Sequence, residues 1–230
     1  MTAPMTTDVD CLVARDVPYE AALTWQHERA DALRSALGGR EAVALIEHDP
    51  VYTMGRRGGR ASMLVPPEAM PAPVVDIERG GDVTWHGPGQ LVGYPILDLR
   101  ARGLRAADYV RSLEGLLIDV LGEFGLEAST VAGRPGVWVG GAKVAAIGVA
   151  IRGGVSSHGF ALNVAPDLGW YDAIVPCGLA DASVTSMATL LPEPPTMPVV
   201  IEATRAAFER RFASHLVEAD PAALRSVVSA

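Results

Sequence analysis

The sequence predicts one α/β domain, α+β-like in its grouping of elements, with a mixed, largely antiparallel sheet flanked by helices. Three observations predict it. Residues 137–164 hold three apolar runs in close succession, the pattern of neighbouring strands. Segments 18–37 and 106–124 repeat apolar residues at the 3–4 spacing of an amphipathic helix. The 230 residues are 49% hydrophobic, which is enough for a sizeable core in a chain of ordinary domain length.

The elements follow in order. Leu23, Ala30, Leu33 and Leu37 share one face of a helix from Pro18 to Leu37, ended by Gly38-Gly39. Ala42 to Glu47 and Val74 to Ile77 are short buried strands. Leu91 to Leu99 is a longer one, and Pro95 gives it an edge position or a bulge. Val110, Leu113, Leu117, Val120 and Phe124 make Ala106 to Phe124 the clearest helix, stopped by Gly125. Val137-Trp138-Val139, Val144 to Ile151 and Phe160 to Val164 are strands. A proline-rich linker, Pro192 to Pro198, precedes a helix from Ala203 to Leu216.

The net charge of −8 argues against general binding to nucleic acid or a membrane surface. No apolar run is long enough to span a bilayer, and Met1 to Asp10 lacks the pattern of a secretion signal. Cys11 and Cys177 are too far apart to suggest a disulfide framework or zinc site, so a reducing cytoplasm is the expected compartment. No histidine pair has metal-ligand spacing, so neither a metal nor another cofactor is expected. Arg56, Arg57 and Arg60 form one basic group and Arg100, Arg102 and Arg105 another. Each is either a solvated loop or a rim for an acidic partner.

Two residues stand out chemically. Lys143 is the only lysine and opens the apolar run Lys143-Val144-Ala145-Ala146-Ile147-Gly148-Val149. Lysine is seldom buried unless paired. Cys177 sits in the turn Ile174-Val175-Pro176-Cys177-Gly178, where proline and glycine present a thiol rather than pack it. Alone, Cys177 could equally be a small buried hydrophobe and Lys143 a snorkelling strand-end residue. Glycines cluster in Arg79-Gly80-Gly81-Asp82-Val83-Thr84-Trp85-His86-Gly87-Pro88-Gly89-Gln90, either a tight turn or a pocket wall made largely of backbone. The segment carries neither a Walker nor a dinucleotide fingerprint. His158-Gly159-Phe160-Ala161-Leu162-Asn163 is a second such stretch. His48, His86 and His158 could each be structural.

These motifs occur together with Glu47-His48-Asp49-Pro50-Val51-Tyr52-Thr53-Met54-Gly55-Arg56, Gly136-Val137-Trp138 and Val184-Thr185-Ser186. In this order, from about Pro18 to Leu190, they resemble the lipoyl(octanoyl) transferases. The resemblance implies a fold similar to that of the biotin and lipoate protein ligases. It makes residues 1–191 the octanoyltransferase catalytic domain, and 192–230 a proline-rich linker and C-terminal helical extension of the same domain. It implies that Cys177 is the acyl-thioester nucleophile and Lys143 its partner in a Cys/Lys dyad. The substrate pocket is then expected to be lined by Arg79, Gly80, Gly81, Asp82, Val83, Thr84, Trp85 and His86. Ala146, Ile147 and Gly148, and Gly159, Phe160 and Ala161, would complete it.

The implied donor is octanoyl-acyl carrier protein. The implied acceptors are the lipoyl domains of 2-oxoacid dehydrogenase E2 subunits and the glycine cleavage H protein. An ammonium beside a thiol favours the thiolate, so Cys177 would attack the thioester and Lys143 would protonate the departing carrier thiol. Neutral Lys143 would then accept the proton of the incoming lysine. Val83, Ile147 and Phe160 are expected as apolar walls. The rival readings are an ATP-dependent lipoate or biotin ligase, a cysteine hydrolase of acyl thioesters and a non-catalytic carrier-binding module.

Overall fold

The computed structural model describes residues 6–35, 39–175 and 183–224. In chain order the elements are β1 (Thr7–Val17), α1 (Tyr19–Arg34), β2 (Ala42–His48), β3 (Val51–Met54), β4 (Val74–Asp76), β5 (Val83–His86), β6 (Gln90–Ile96) and α2 (Ala106–Glu123). They continue with β7 (Ser129–Val131), β8 (Arg134–Val139), β9 (Ala142–Arg152), β10 (Val155–Asn163), α3 (Met187–Leu190), α4 (Met197–Phe212) and β11 (Ser214–Glu218).

The main sheet has eight strands in the order β11-β1-β2-β6-β10-β9-β8-β7, and β4-β3-β5 form a smaller one. β1 is parallel to both β2 and β11, and every later pairing in the main sheet is antiparallel. The sheet is therefore mixed and largely antiparallel. Strand alternation divides its side chains between two cores. Val43, Leu45, Leu91 and Leu162 face α2 and α4, where they meet Leu113, Leu117 and Phe208. Ala44, Ile46, Val92, Tyr94 and Ala161 face the opposite way, beneath Ala22, Trp25 and Ala30 of α1.

Several elements differ from expectation. β1, β3 and the short β7 are additional strands. β1 escapes a hydrophobicity reading because Asp8, Asp10 and Asp16 interrupt it, and Arg29 and Arg40 pair with Asp10. Segment 83–86 is a buried strand and not a turn. The helix placed at Ala203 to Leu216 begins earlier, at Met197, because Pro198 occupies its first turn, where a missing N–H costs nothing. It ends at the left-handed Ala213 (φ 46°), and β11 follows. Pro95 lies at neither an edge nor a bulge. β6 is central, and Pro95 pairs with Val43. Opposite it the ladder with β10 lapses, then resumes in the same register at the Asp98–Val155 bridge. Of the first predicted helix Ala36 and Leu37, and of its stop Gly38, lie outside the described residues.

Candidate active site

Lys143 is the second residue of β9, directly after the tight turn at Gly140 and Gly141, both with positive φ. Only 7% of it is exposed. Its Nζ donates to Pro135 O at 3.2 Å and sits 4.9 Å from the centre of the Trp138 ring, a cation–π distance. Among the described residues no carboxylate pairs with it. Its backbone is held from the other side. Lys143 N–H donates to Ser183 O (2.8 Å), and Thr185 N–H donates to Lys143 O (2.9 Å). Asn163 Nδ2 donates to Thr185 O, tying the same segment to β10.

Cys177 lies outside the described residues, as do its neighbours Pro176 and Gly178. The described residues before them end at Val175, whose N–H donates to Ser62 O (2.8 Å), and begin again with Ser183, beside Lys143. The other thiol, Cys11, is buried in the core under α4, and desolvation pushes it up to about 11. It is an inert structural cysteine.

A cavity of about 470 Å³, mouth included, lies between segment 79–86 and the β9–β10 pair. Arg79, Gly80, Gly81, Asp82, Thr84, His86, Ala146, Ile147, Gly148, Gly159, Phe160 and Ala161 line it. Gly148 is small for a reason: a Cβ there would stand 2.8 Å from Arg79 Cδ and 3.0 Å from Gly80 O, so glycine lets the loop lie directly on β9. Arg79 is buried and donates to Thr53 O, Thr53 Oγ1 and Gly80 O. A second, wider cavity of about 1320 Å³ shares Gly80, Gly81, Asp82, Ile147 and Gly148 with the first and adds Lys143, Arg56, Arg57 and Arg134. Lys143 thus faces an arginine-rimmed opening that communicates with a narrower, largely apolar recess.

Val83 and Trp85 do not line the recess. They alternate with Thr84 and His86 along β5, so they point into the core of the small sheet with Tyr52, Ala173 and Ile174. The expected pocket role of these two residues, including Val83 as an apolar wall, is corrected accordingly.

Sequence reasoning missed Tyr19, Val92 and Tyr94, and left His158 undecided; all four line the recess. Alternation along β6, once Leu91 is assigned to one core, would have found Val92 and Tyr94. No local signal marks Tyr19. Ring contacts join Tyr19, Tyr94 and His158 to His48 and His86 in a buried layer. His48 Nδ1 donates to Val17 O (2.8 Å), which leaves Nε2 to accept from Tyr94 O–H (2.8 Å). His86 Nδ1 donates to Gln90 Oε1 (2.7 Å), and Gln90 Nε2 donates to Asn163 Oδ1 (2.9 Å). Burial, which disfavours the imidazolium, lowers His48 and His158 to about 4 and His86 to about 3. These rings are therefore neutral at neutral pH. Among the described residues no set of three His, Cys, Asp or Glu side chains could hold a metal ion, and no helix is long and apolar enough to cross a membrane.

Comparison with known proteins places this arrangement. Residues 18–209 match the family model of the lipoyl protein ligase A/B catalytic domain. An octanoyltransferase of Synechococcus elongatus is 46% identical over 76% of this chain and 75% of its own length. One of Salinispora arenicola is 47% identical over 84% of this chain and 90% of its own. Among solved structures, lipoate-protein ligase A bound with ATP matches with a TM-score of 0.74 at 14% identity, covering 96% of this chain and 94% of that one. A bipartite lipoate protein ligase from Thermoplasma acidophilum, studied with its E2 lipoyl domain, matches at 0.73 and 15% identity, covering 97% and 92%. Biotin protein ligase from Aquifex aeolicus matches more loosely, at 0.50 and 11%, covering 91% and 70%. The structural likenesses establish the fold, and the sequence relatives establish the kinship: the chain belongs to the lipoyl protein ligase A/B catalytic-domain family, among its octanoyltransferases.

Proposed function

We propose that this chain transfers an octanoyl group from octanoyl-acyl carrier protein to a lysine of a lipoyl domain through a thioester on Cys177. The observation that carries the reading is the position of Lys143. The only lysine is buried where a narrow apolar recess opens into a wider, arginine-rimmed cavity. The recess suits an aliphatic chain, each buried methylene of which contributes about 0.8 kcal/mol. The opening suits two protein-borne substrates that must reach the same amine in turn.

In the first step the Cys177 thiolate attacks the donor carbonyl, the carbon–sulfur bond to the carrier breaks, and Lys143 protonates the departing thiolate. In the second step the acceptor amine attacks the acyl-enzyme and gives its proton to neutral Lys143, and the Cys177 thiolate leaves. The first step exchanges one thioester for another. The second forms an amide and runs downhill without ATP. Ala146, Ile147, Gly148, Gly159, Phe160 and Ala161, with Arg79 to Asp82, Thr84 and His86, hold the acyl chain. The exposed Arg56 and Arg57 dock the acidic carrier. The acceptors are lipoyl domains of 2-oxoacid dehydrogenase E2 subunits and the glycine cleavage H protein, and the reaction is cytoplasmic.

Intact-protein mass spectrometry tests this. Wild type mixed with octanoyl-carrier protein and no ATP should gain one octanoyl group, which moves to an added lipoyl domain; Cys177→Ser should not. Acceptor acylation that depends on ATP would favour a ligase instead. An adduct that decays to free octanoate regardless of acceptor would mark a hydrolase.

A further inference from the structure

His158 lies inside β10 with φ of 56°, a left-handed conformation that is uncommon for any residue but glycine. Alternation along the strand would send its side chain with Phe160 and Leu162 toward α2 and α4. The backbone turns it to the other face. There its ring meets Tyr94 edge-on at 6.4 Å, it lines the recess, and its charged neighbours are Glu78, Arg79 and His27. The conformation is held in place. His158 N–H donates to Gln26 Oε1 of α1 (2.7 Å), and Pro95 opposite has no N–H to offer the ladder. The side chain is 2% exposed, and among the described residues its Nε2 has no hydrogen-bond partner. Backbone strain and an unpaired ring nitrogen are both accepted here to set a histidine ring against a largely apolar recess.

Its position along the recess decides what that atom meets. Lys143 shares a small hollow with Thr84 and Ala146, which also line the recess. Ala146 pairs with Ala161, and His158 is three strand positions further along, about 10 Å at ~3.3 Å per residue. An extended eight-carbon acyl chain spans about 9 Å, taking C–C bonds of ~1.5 Å. With its carbonyl at the Lys143 end, its eighth carbon arrives at His158.

We propose that His158 is the chain-length stop of the acyl site: its Nε2 holds a water molecule beyond the eighth carbon. A longer saturated chain must expel that water and leave the nitrogen unpaired, whereas a chain ending in a hydroxyl replaces it. This inference rests on the acyl-transfer reading above.

The test measures kcat/KM for acyl-enzyme formation from carrier-protein thioesters of octanoate, nonanoate, dodecanoate and 8-hydroxyoctanoate. Wild type, His158→Leu and His158→Asn are compared, asparagine being at ease with positive φ. For wild type, 8-hydroxyoctanoyl should match or exceed nonanoyl, to which it is nearly isosteric, and dodecanoyl should trail octanoyl by about tenfold or more. His158→Leu should shrink the dodecanoyl penalty by about tenfold and reverse the hydroxyl preference, while His158→Asn keeps both patterns. An unchanged dodecanoyl-to-octanoyl ratio in His158→Leu overturns the proposal. So does a wild type that handles 8-hydroxyoctanoyl about tenfold worse than nonanoyl, a comparison that stands even if the leucine variant does not fold. Failure of wild type to form any octanoyl-enzyme is a different result, and it overturns the acyl-transfer reading itself.

Discussion

Lys143→Arg separates charge from proton transfer, because arginine keeps the cation but cannot give up its proton at working pH. Octanoyl transfer to a lipoyl domain should fall by roughly 10²–10⁴ in this variant, the usual contribution of a positioned acid–base group, with its thermal melt little changed. Near-normal turnover would remove Lys143 from the proton path. Gly148→Ala probes the recess. Its new Cβ meets Arg79 Cδ and Gly80 O, so the loop must lift from β9. Stability should drop by about 1–3 kcal/mol in urea unfolding, with a raised KM for the acyl donor. Lys143 and the glycine segments were legible because lone or tiny residues inside apolar runs demand a reason. Val83 and Trp85 were not, because a glycine-flanked stretch reads as a loop, in which both sides face a ligand. In a strand only alternate residues do.

Elements are held together by a buried ion pair that the sequence did not suggest. Arg102, in the turn after β6, donates its Nε to Glu41 Oε1 (2.9 Å) just before β2, and its Nη1 to Phe212 O (2.6 Å) at the end of α4. Both side chains are about nine-tenths buried, at 12% and 9% exposure. Arg102→Ala leaves Glu41 buried without its cation. It should cost about 3–5 kcal/mol, read from denaturant unfolding, with no direct contact to the acyl recess. A midpoint unmoved by the change would show that water replaces the arginine. The sequence reads Arg102 as part of a solvated loop or of a rim for an acidic partner, since sequence spacing does not reveal which strand start a turn will meet. Helices were the more legible elements, as 3–4 periodicity survives local interruptions. β1 and β5 were not, because their polar residues find partners only in the folded sheet.

At the scale of the whole molecule, the three buried neutral histidines set the response to acid. An unfolded histidine titrates near 6.5, whereas His48 and His158 do so at about 4 and His86 at about 3. Below pH 6.5 the unfolded chain therefore takes up protons that the fold refuses, and stability is lost as pH falls toward 4. The melting temperature should hold above pH 7 and drop by on the order of 10 °C or more between pH 6.5 and 4.5. A flat profile across that window would mean that these rings are solvated in the native state. The fold class was legible because it needs only the order and grouping of elements. The strand order was not, since which edges meet depends on long-range packing. One such meeting has a temporal consequence. β1 is synthesised well before β11, the strand that flanks it on one side. On the ribosome the nascent chain must carry an unprotected strand edge until residues 214–218 emerge, and over that interval a chaperone has the most to cover.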